Sequence, residues 1–173
     1  LCRTFYKDGF IWDYAGHFFH FAHPEIKQLF EQQVGTDDLV KCNKCTNINY
    51  EGTVIDYPFQ MNIHQLPKEE LLECLYDLFT TNTDAYTTFQ EMLYAKFGKS
   101  IADKFLIPYN TKLYACNLDS LDKDAMGRFF PYAEKEDIIR NFKSKTNISY
   151  NDKFIYPKGG AIEYVNSILN KLD

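Results

Sequence analysis

The chain has 173 residues, 45% of them hydrophobic and 17% aromatic, enough to bury a core as a single domain. Its formal charge of −5 gives no basic field to neutralise phosphates, which argues against nucleic acid as a partner. No apolar run approaches the roughly 18 residues of a membrane span, and five cysteines, an odd count without a secretory signal, read as reduced thiols of a cytoplasmic protein.

In chain order, Thr4-Phe5-Tyr6 and Phe10-Ile11-Trp12 are strand-forming runs around Asp8-Gly9, a strong hairpin signal because both residues tolerate positive φ. Pro24 then opens a helix at a position where a missing N–H costs nothing. Ile26, Leu29, Phe30 and Val34 share its inner face, and Gly35 ends it. Residues 39–49 and 53–57 read as two strands joined at Glu51-Gly52. Pro67 opens a second helix with Leu71, Leu72, Leu75, Leu78 and Phe79 inward. Thr83 or Asp84 caps a third, which buries Tyr86, Phe89, Met92, Leu93 and Phe97 and closes at Gly98. Residues 99–107 form a shorter helix, and 118–128 and 134–141 two more. A brief strand at 154–156 leads through Lys158-Gly159-Gly160 into a last helix with Ile162, Val165, Ile168, Leu169 and Leu172 inward. The class expected is α+β, an antiparallel or mixed sheet with a helical insert over about 67–145.

Arg3-Thr4, Gly9-Phe10, Asp13, Gly16-His17 and His20 resemble the segment that follows the flavin-binding βαβ unit in FAD-dependent amine-oxidase-like proteins, in the branch similar to UDP-galactopyranose mutase. Ala15 stands where relatives often have glycine. The resemblance implies a larger flavoenzyme of which residues 1–173 form one domain. Leu1 would follow a Gly-Gly pair, and the rest of the same chain would hold FAD. It implies Arg3, Thr4, Gly16 and His17 at the cofactor, with His17 also at the reaction.

Physical reasoning supports a close approach at Gly16, since a Cβ would hold a flat cofactor away. A histidine beside it can donate a hydrogen bond or change charge near neutral pH. The competing reading is a turn glycine and an ordinary half-buried histidine. Residues 88–115 resemble the family's helical insert, and Tyr109, Asn110, Lys112 and Tyr114 fall on its Tyr-(Thr or Asn)-x-Lys-x-(Trp or Tyr) motif. In mutase-like relatives the Tyr, the small polar residue and the final aromatic contact uridine diphosphate. A uracil ring wants an aromatic face and a diphosphate wants donors. Tyr114 in place of Trp and Leu113 in place of a polar residue leave the nucleotide-sugar identity open, and both tyrosines read equally as core aromatics. Arg128 matches a recurrent family arginine, as a phosphate partner or as a helix C-cap. Tyr57-Pro58-Phe59 resembles a family Tyr-Pro-Phe that leads into the substrate domain.

His17, His20 and His23 with Cys42-x-x-Cys45 could suggest zinc, but strand residues three apart point to opposite faces, so no metal is expected. The substrate is expected to be a small molecule, a nucleotide-sugar in a mutase-type protein. Oxidase-type and mutase-type chemistry both stay open. The rival classes are a non-catalytic interaction domain and a small zinc-supported domain.

Overall fold

The hairpin forms where Asp8 and Gly9 take positive φ, 54° and 78°, the turn whose twist matches that of its strands. Strand β1 (Thr4–Lys7) pairs antiparallel with β2 (Phe10–Asp13), with Thr4 opposite Asp13. The computed structural model describes residues 2–83, 85–143 and 153–170, and the side chain of Arg128 lies outside this description. The chain divides into two compact units: residues 1–45 with 151–173, and residues 46–150.

In the first unit, helix α1 (Pro24–Val34) begins with Pro24 at its start and Glu25 in the first turn, where the dipole favours an acid. Phe30 is its buried anchor, stacked on Phe19 with centroids 4.9 Å apart and close to Phe21 and Tyr164. Ile26 and Leu29, expected inward, are exposed, because the helix buries only the stripe centred on Phe30. Strand β3 (Leu39–Asn43) ends earlier than expected. It pairs antiparallel with β6 (Lys153–Pro157), Leu39 opposite Pro157 and Asn43 opposite Lys153. Helix α6 (Ile162–Leu169) follows, with Ile168 and Leu169 exposed rather than inward; Leu172 lies outside the described residues.

The second unit starts with a hairpin of β4 (Asn47–Tyr50) and β5 (Thr53–Asp56), turned at Glu51 and Gly52 with φ of 47° and 84°. The expected strand over 39–49 is therefore two strands with different partners. Helix α2 (Lys68–Thr80) buries Cys74 and Leu78 and leaves Leu72 and Phe79 exposed. Helix α3 (Phe89–Ile101) is capped by Thr88, not by Thr83; Asp84 lies outside the described residues. Thr88 Oγ1 accepts from the Glu91 N–H at 3.2 Å while Glu91 Oε2 accepts from the Thr88 N–H at 3.2 Å, a reciprocal box.

Gly98 kinks α3 rather than ending it. Its φ is 74°, and an added Cβ would lie 2.7 Å from the Asp77 backbone carbon, so only glycine lets α2 and α3 approach this closely. The expected 99–107 helix runs on through a π turn (Ala102–Leu106) into α4 (Ile107–Tyr114). The widened turn precedes Pro108, which can donate no backbone bond. Short 3-10 turns at Leu118–Ser120 and Gly127–Phe129 replace the helix expected over 118–128, and α5 (Lys135–Asn141) follows. Phe59, Ile63, Leu78, Phe89, Leu93, Phe97, Ile101 and Leu118 form the core here. The sheets among the described residues are antiparallel pairs with helices beside them, an α+β fold. Among these residues no helix is long and apolar enough to cross a membrane.

Candidate functional site

In the first unit, Asp13 closes β2 and lies at the start of α6. It accepts hydrogen bonds from the Thr4 hydroxyl, from the Tyr156 hydroxyl and from the Ala161 N–H, the last at 3.2 and 3.1 Å to its two oxygens. Thr4 Oγ1 in turn accepts from the Ile162 N–H at 3.2 Å. Burial pushes the Asp13 carboxyl up, but the bonds from Thr4, Tyr156 and Ala161 outweigh it and leave the pKa lowered. Burial, then the bond to Asp13, pushes Tyr156 up to about 12.

The turn after β2 carries Gly16 and His17, two of the residues expected at a flavin. Gly16 is exposed, and a Cβ there would meet only the Phe18 ring, at 3.4 Å, so the surface at this glycine is open to a flat group. His17 Nδ1 lies 2.7 Å from the Ala15 carbonyl. A carbonyl only accepts, so Nδ1 carries the proton and a neutral ring leaves Nε2 as an acceptor. The Arg3 guanidinium lies over the rings of Phe5 and Tyr14, 5.1 and 5.8 Å from their centroids. Thr4, expected at the cofactor, has its hydroxyl engaged between Asp13 and Ile162. The α6 N-terminus is not free for an anion, since Asp13 and Thr4 occupy the N–H groups of Ala161 and Ile162. Gly160 serves packing: at φ 94°, its Cβ would lie 2.5 Å from the Thr4 side chain.

In the second unit, Tyr109, Asn110, Lys112 and Tyr114 all belong to α4. Tyr109 is the outer ring of a stack: Phe59 on Phe105 at 4.7 Å and 11°, Phe105 on Tyr109 at 5.1 Å and 16°. Phe59 is fully buried while Tyr109 is 41% exposed, so the stack runs from core to surface. Lys112 is exposed one turn on from Tyr109. Tyr114, five residues on, points to another side of the helix and packs edge-on against Phe89 at 6.0 Å. Asn110 is buried; its amide nitrogen donates to the Leu106 carbonyl at 2.7 Å, and its Oδ1 has no partner among the described residues. It lines a cavity of about 10 Å³ with Tyr57, Gln60, Tyr109 and Phe130, room for about one water. Burial raises the Tyr57 pKa, with a smaller contribution from Tyr109. The Arg128 side chain lies outside the described residues.

Sequence reasoning missed the ring stack and the partners of Asp13. The Phe105-x-x-x-Tyr109 spacing signals the former; nothing local signals Phe59 or Tyr156. Among the described residues no three His, Cys, Asp or Glu side chains are grouped to hold a metal.

The sequence profile of a family described as flavin containing amine oxidoreductase matches residues 1–154. A solved structure of reduced UDP-galactopyranose mutase is similar with a TM-score of 0.85 and 27% identity, over 100% of this chain and 38% of that one. A protein assigned as a protoporphyrinogen oxidase, from Exiguobacterium sp. 255-15, is similar in fold with a TM-score of 0.58 and 17% identity, over 99% of this chain and 42% of that one. The chain thus spans less than half the length of either.

Proposed function

Because the chain belongs to the flavin-containing amine oxidoreductase family, which implies FAD in the full-length protein, we propose that it is the substrate-binding region of an FAD-dependent enzyme acting on a nucleotide-sugar. The observation that carries the reading is the Phe59–Phe105–Tyr109 stack, which ends in an exposed ring. A uracil laid on Tyr109 would extend the stack by one member, a contact worth about 1–3 kcal/mol. Lys112, on the same side one turn on, offers its ammonium to a diphosphate. The buried Asn110 has room for about one water at its Oδ1 and joins the proposed set through that water, with Tyr114 and Arg128. The likeness to UDP-galactopyranose mutase supports the choice of a uridine nucleotide.

Arg3, Thr4, Gly16 and His17 form the proposed cofactor edge. Gly16 admits the ring without a Cβ in the way, and the His17 ring is held by Nδ1 donating to the Ala15 carbonyl. Thr4 acts there by holding the hairpin to α6, and Arg3 contributes positive charge. Bound FAD would supply hydride acceptance in an oxidase-type reaction or a nucleophilic reduced ring in a mutase-type one. The residues of this chain orient the substrate, hold its phosphates and keep the cofactor edge in register. The thiols of Cys2, Cys42, Cys74 and Cys116 are not in disulfides, which supports a reducing, cytoplasmic setting.

The test is calorimetric titration of the full-length protein with UDP. Tyr109→Ala should weaken binding about tenfold or more, the worth of one stacked base. Tyr114→Ala, whose ring lies against Phe89, should weaken it less. No UDP binding by the wild type would remove the nucleotide-sugar reading and leave family membership untouched.

A further inference from the structure

We propose that Asp13 and Tyr156 are positioning residues for the cofactor edge, a carboxylate–phenol relay that ties together the two ends of the turn bearing Gly16 and His17. The inference rests on the reading that Gly16 and His17 face the flavin.

The geometry runs in one direction. Asp13 is an acceptor-only group once ionised, and the Thr4 hydroxyl and Ala161 N–H fix its place at the start of α6. The Tyr156 hydroxyl gives its single hydrogen to this carboxylate. Tyr156 follows Ile155 in β6, the residue that pairs with Phe19 beyond the turn, so this bond joins the residue that opens the turn to the strand that closes it. The turn is also tied at both ends. The Tyr14 N–H bonds to the Arg3 carbonyl at 3.2 Å, and Phe19 exchanges backbone bonds with Ile155 at 3.4 and 3.3 Å. Between those ends, residues 15–18 make the bend that bears the open glycine.

Both groups are in the states the relay needs near neutrality. Asp13 is ionised, its pKa lowered by its donors against the effect of burial. Tyr156, pushed up to about 12, keeps its hydrogen. A phenol in this position holds the ends of the turn together without touching the reacting atoms. The histidine ring then needs only its own bond to the Ala15 carbonyl to be set.

The experiment uses the full-length flavoprotein with Tyr156→Phe, Asp13→Asn and His17→Ala, alone and with Tyr156→Phe and His17→Ala combined. Flavin visible spectrum, FAD dissociation constant and melting temperature are recorded for each. Tyr156→Phe, which deletes one oxygen, should keep its fold and raise the FAD dissociation constant about threefold to tenfold, the worth of one hydrogen bond. Its flavin band should shift in the same direction as that of His17→Ala. The combined variant should shift no further than the larger single, because the two act through one element.

A spectrum and affinity unchanged in Tyr156→Phe, with His17→Ala altered, would overturn the relay and leave the cofactor-edge reading intact. If His17→Ala and Gly16→Val both leave flavin content and spectrum unchanged, the edge reading fails and the relay with it. Loss of flavin together with a collapsed melting temperature in Tyr156→Phe would make the hydroxyl a prop of the fold and overturn the relay. Should Asp13→Asn fail to fold, Tyr156→Phe decides alone.

Discussion

Asp13 gathers donors from both ends of the sequence, and that gives it a measurable pH signature. Its folded pKa lies below the ordinary carboxyl value of 3.8. A depressed carboxyl contributes stability that is present above the unfolded pKa and lost as pH falls through the folded one. Asp13→Asn should therefore be less stable near neutrality and lose less on acidification to about pH 3. Denaturant midpoints at the two pH values measure this; parallel losses in the two proteins would refute it. Cys74 gives a second test, since burial pushes its thiol up to about 12 and it is fully buried. Only thiolate reacts with alkylating agents, so iodoacetamide should label half-buried Cys2 and Cys116 before Cys74, which should wait for unfolding. Asp13 was legible as a member of an N-terminal motif. Its role was not, because Tyr156 and Ala161 sit more than 140 positions away and no local pattern announces such a bond.

Elements were legible where local chemistry decides them. Asp8-Gly9 turned the first hairpin, Glu51-Gly52 the second, and Pro24 and Gly35 bounded α1. The Thr88-x-x-Glu91 box is also written in the sequence, but an aromatic run beginning at Tyr86 drew the expected start of α3 too early. Loss of this cap in Thr88→Ala should cost about 1 kcal/mol, read as a lowered urea midpoint. The kink was harder to foresee, because a glycine after helical periodicity reads as an end, while here contact with α2 carries the helix onward. Gly98→Ala puts an L-residue at φ 74° and a methyl 2.7 Å from the Asp77 backbone. Left-handed backbone costs about 1–2 kcal/mol and overpacking typically 1–3 kcal/mol, so the variant should lose at least about 2 kcal/mol. A loss equal to that of a surface alanine would mean that the kink can relax. Strand β3 shows the limit of local reading, since nothing in 39–43 says that its partner lies at 153–157.

At the scale of the whole chain, the α+β class and the family were both legible, the class from alternating elements and the family from Arg3-Thr4 through His20. The division into residues 46–150 and the remainder was not, because it depends on β3 reaching across the sequence to β6. The same topology bears on cofactor retention. A flavin's pyrophosphate is held by free N–H groups of a glycine loop at a helix N-terminus. The one glycine pair before a helix is Gly159-Gly160. There the N–H groups of Ala161 and Ile162 already bond to Asp13 and Thr4, and Gly160 is spent on contact with Thr4. Among the described residues the α6 N-terminus is thus no cradle for the phosphates, and ring contacts at the proposed edge alone do not retain a dinucleotide through purification. Residues 1–173 expressed by themselves should be colourless, and the full-length protein yellow. The visible spectrum of the purified 173-residue chain checks this directly. Stoichiometric flavin bound to it would show that the phosphates find donors outside the α6 N-terminus, and would refute the expectation.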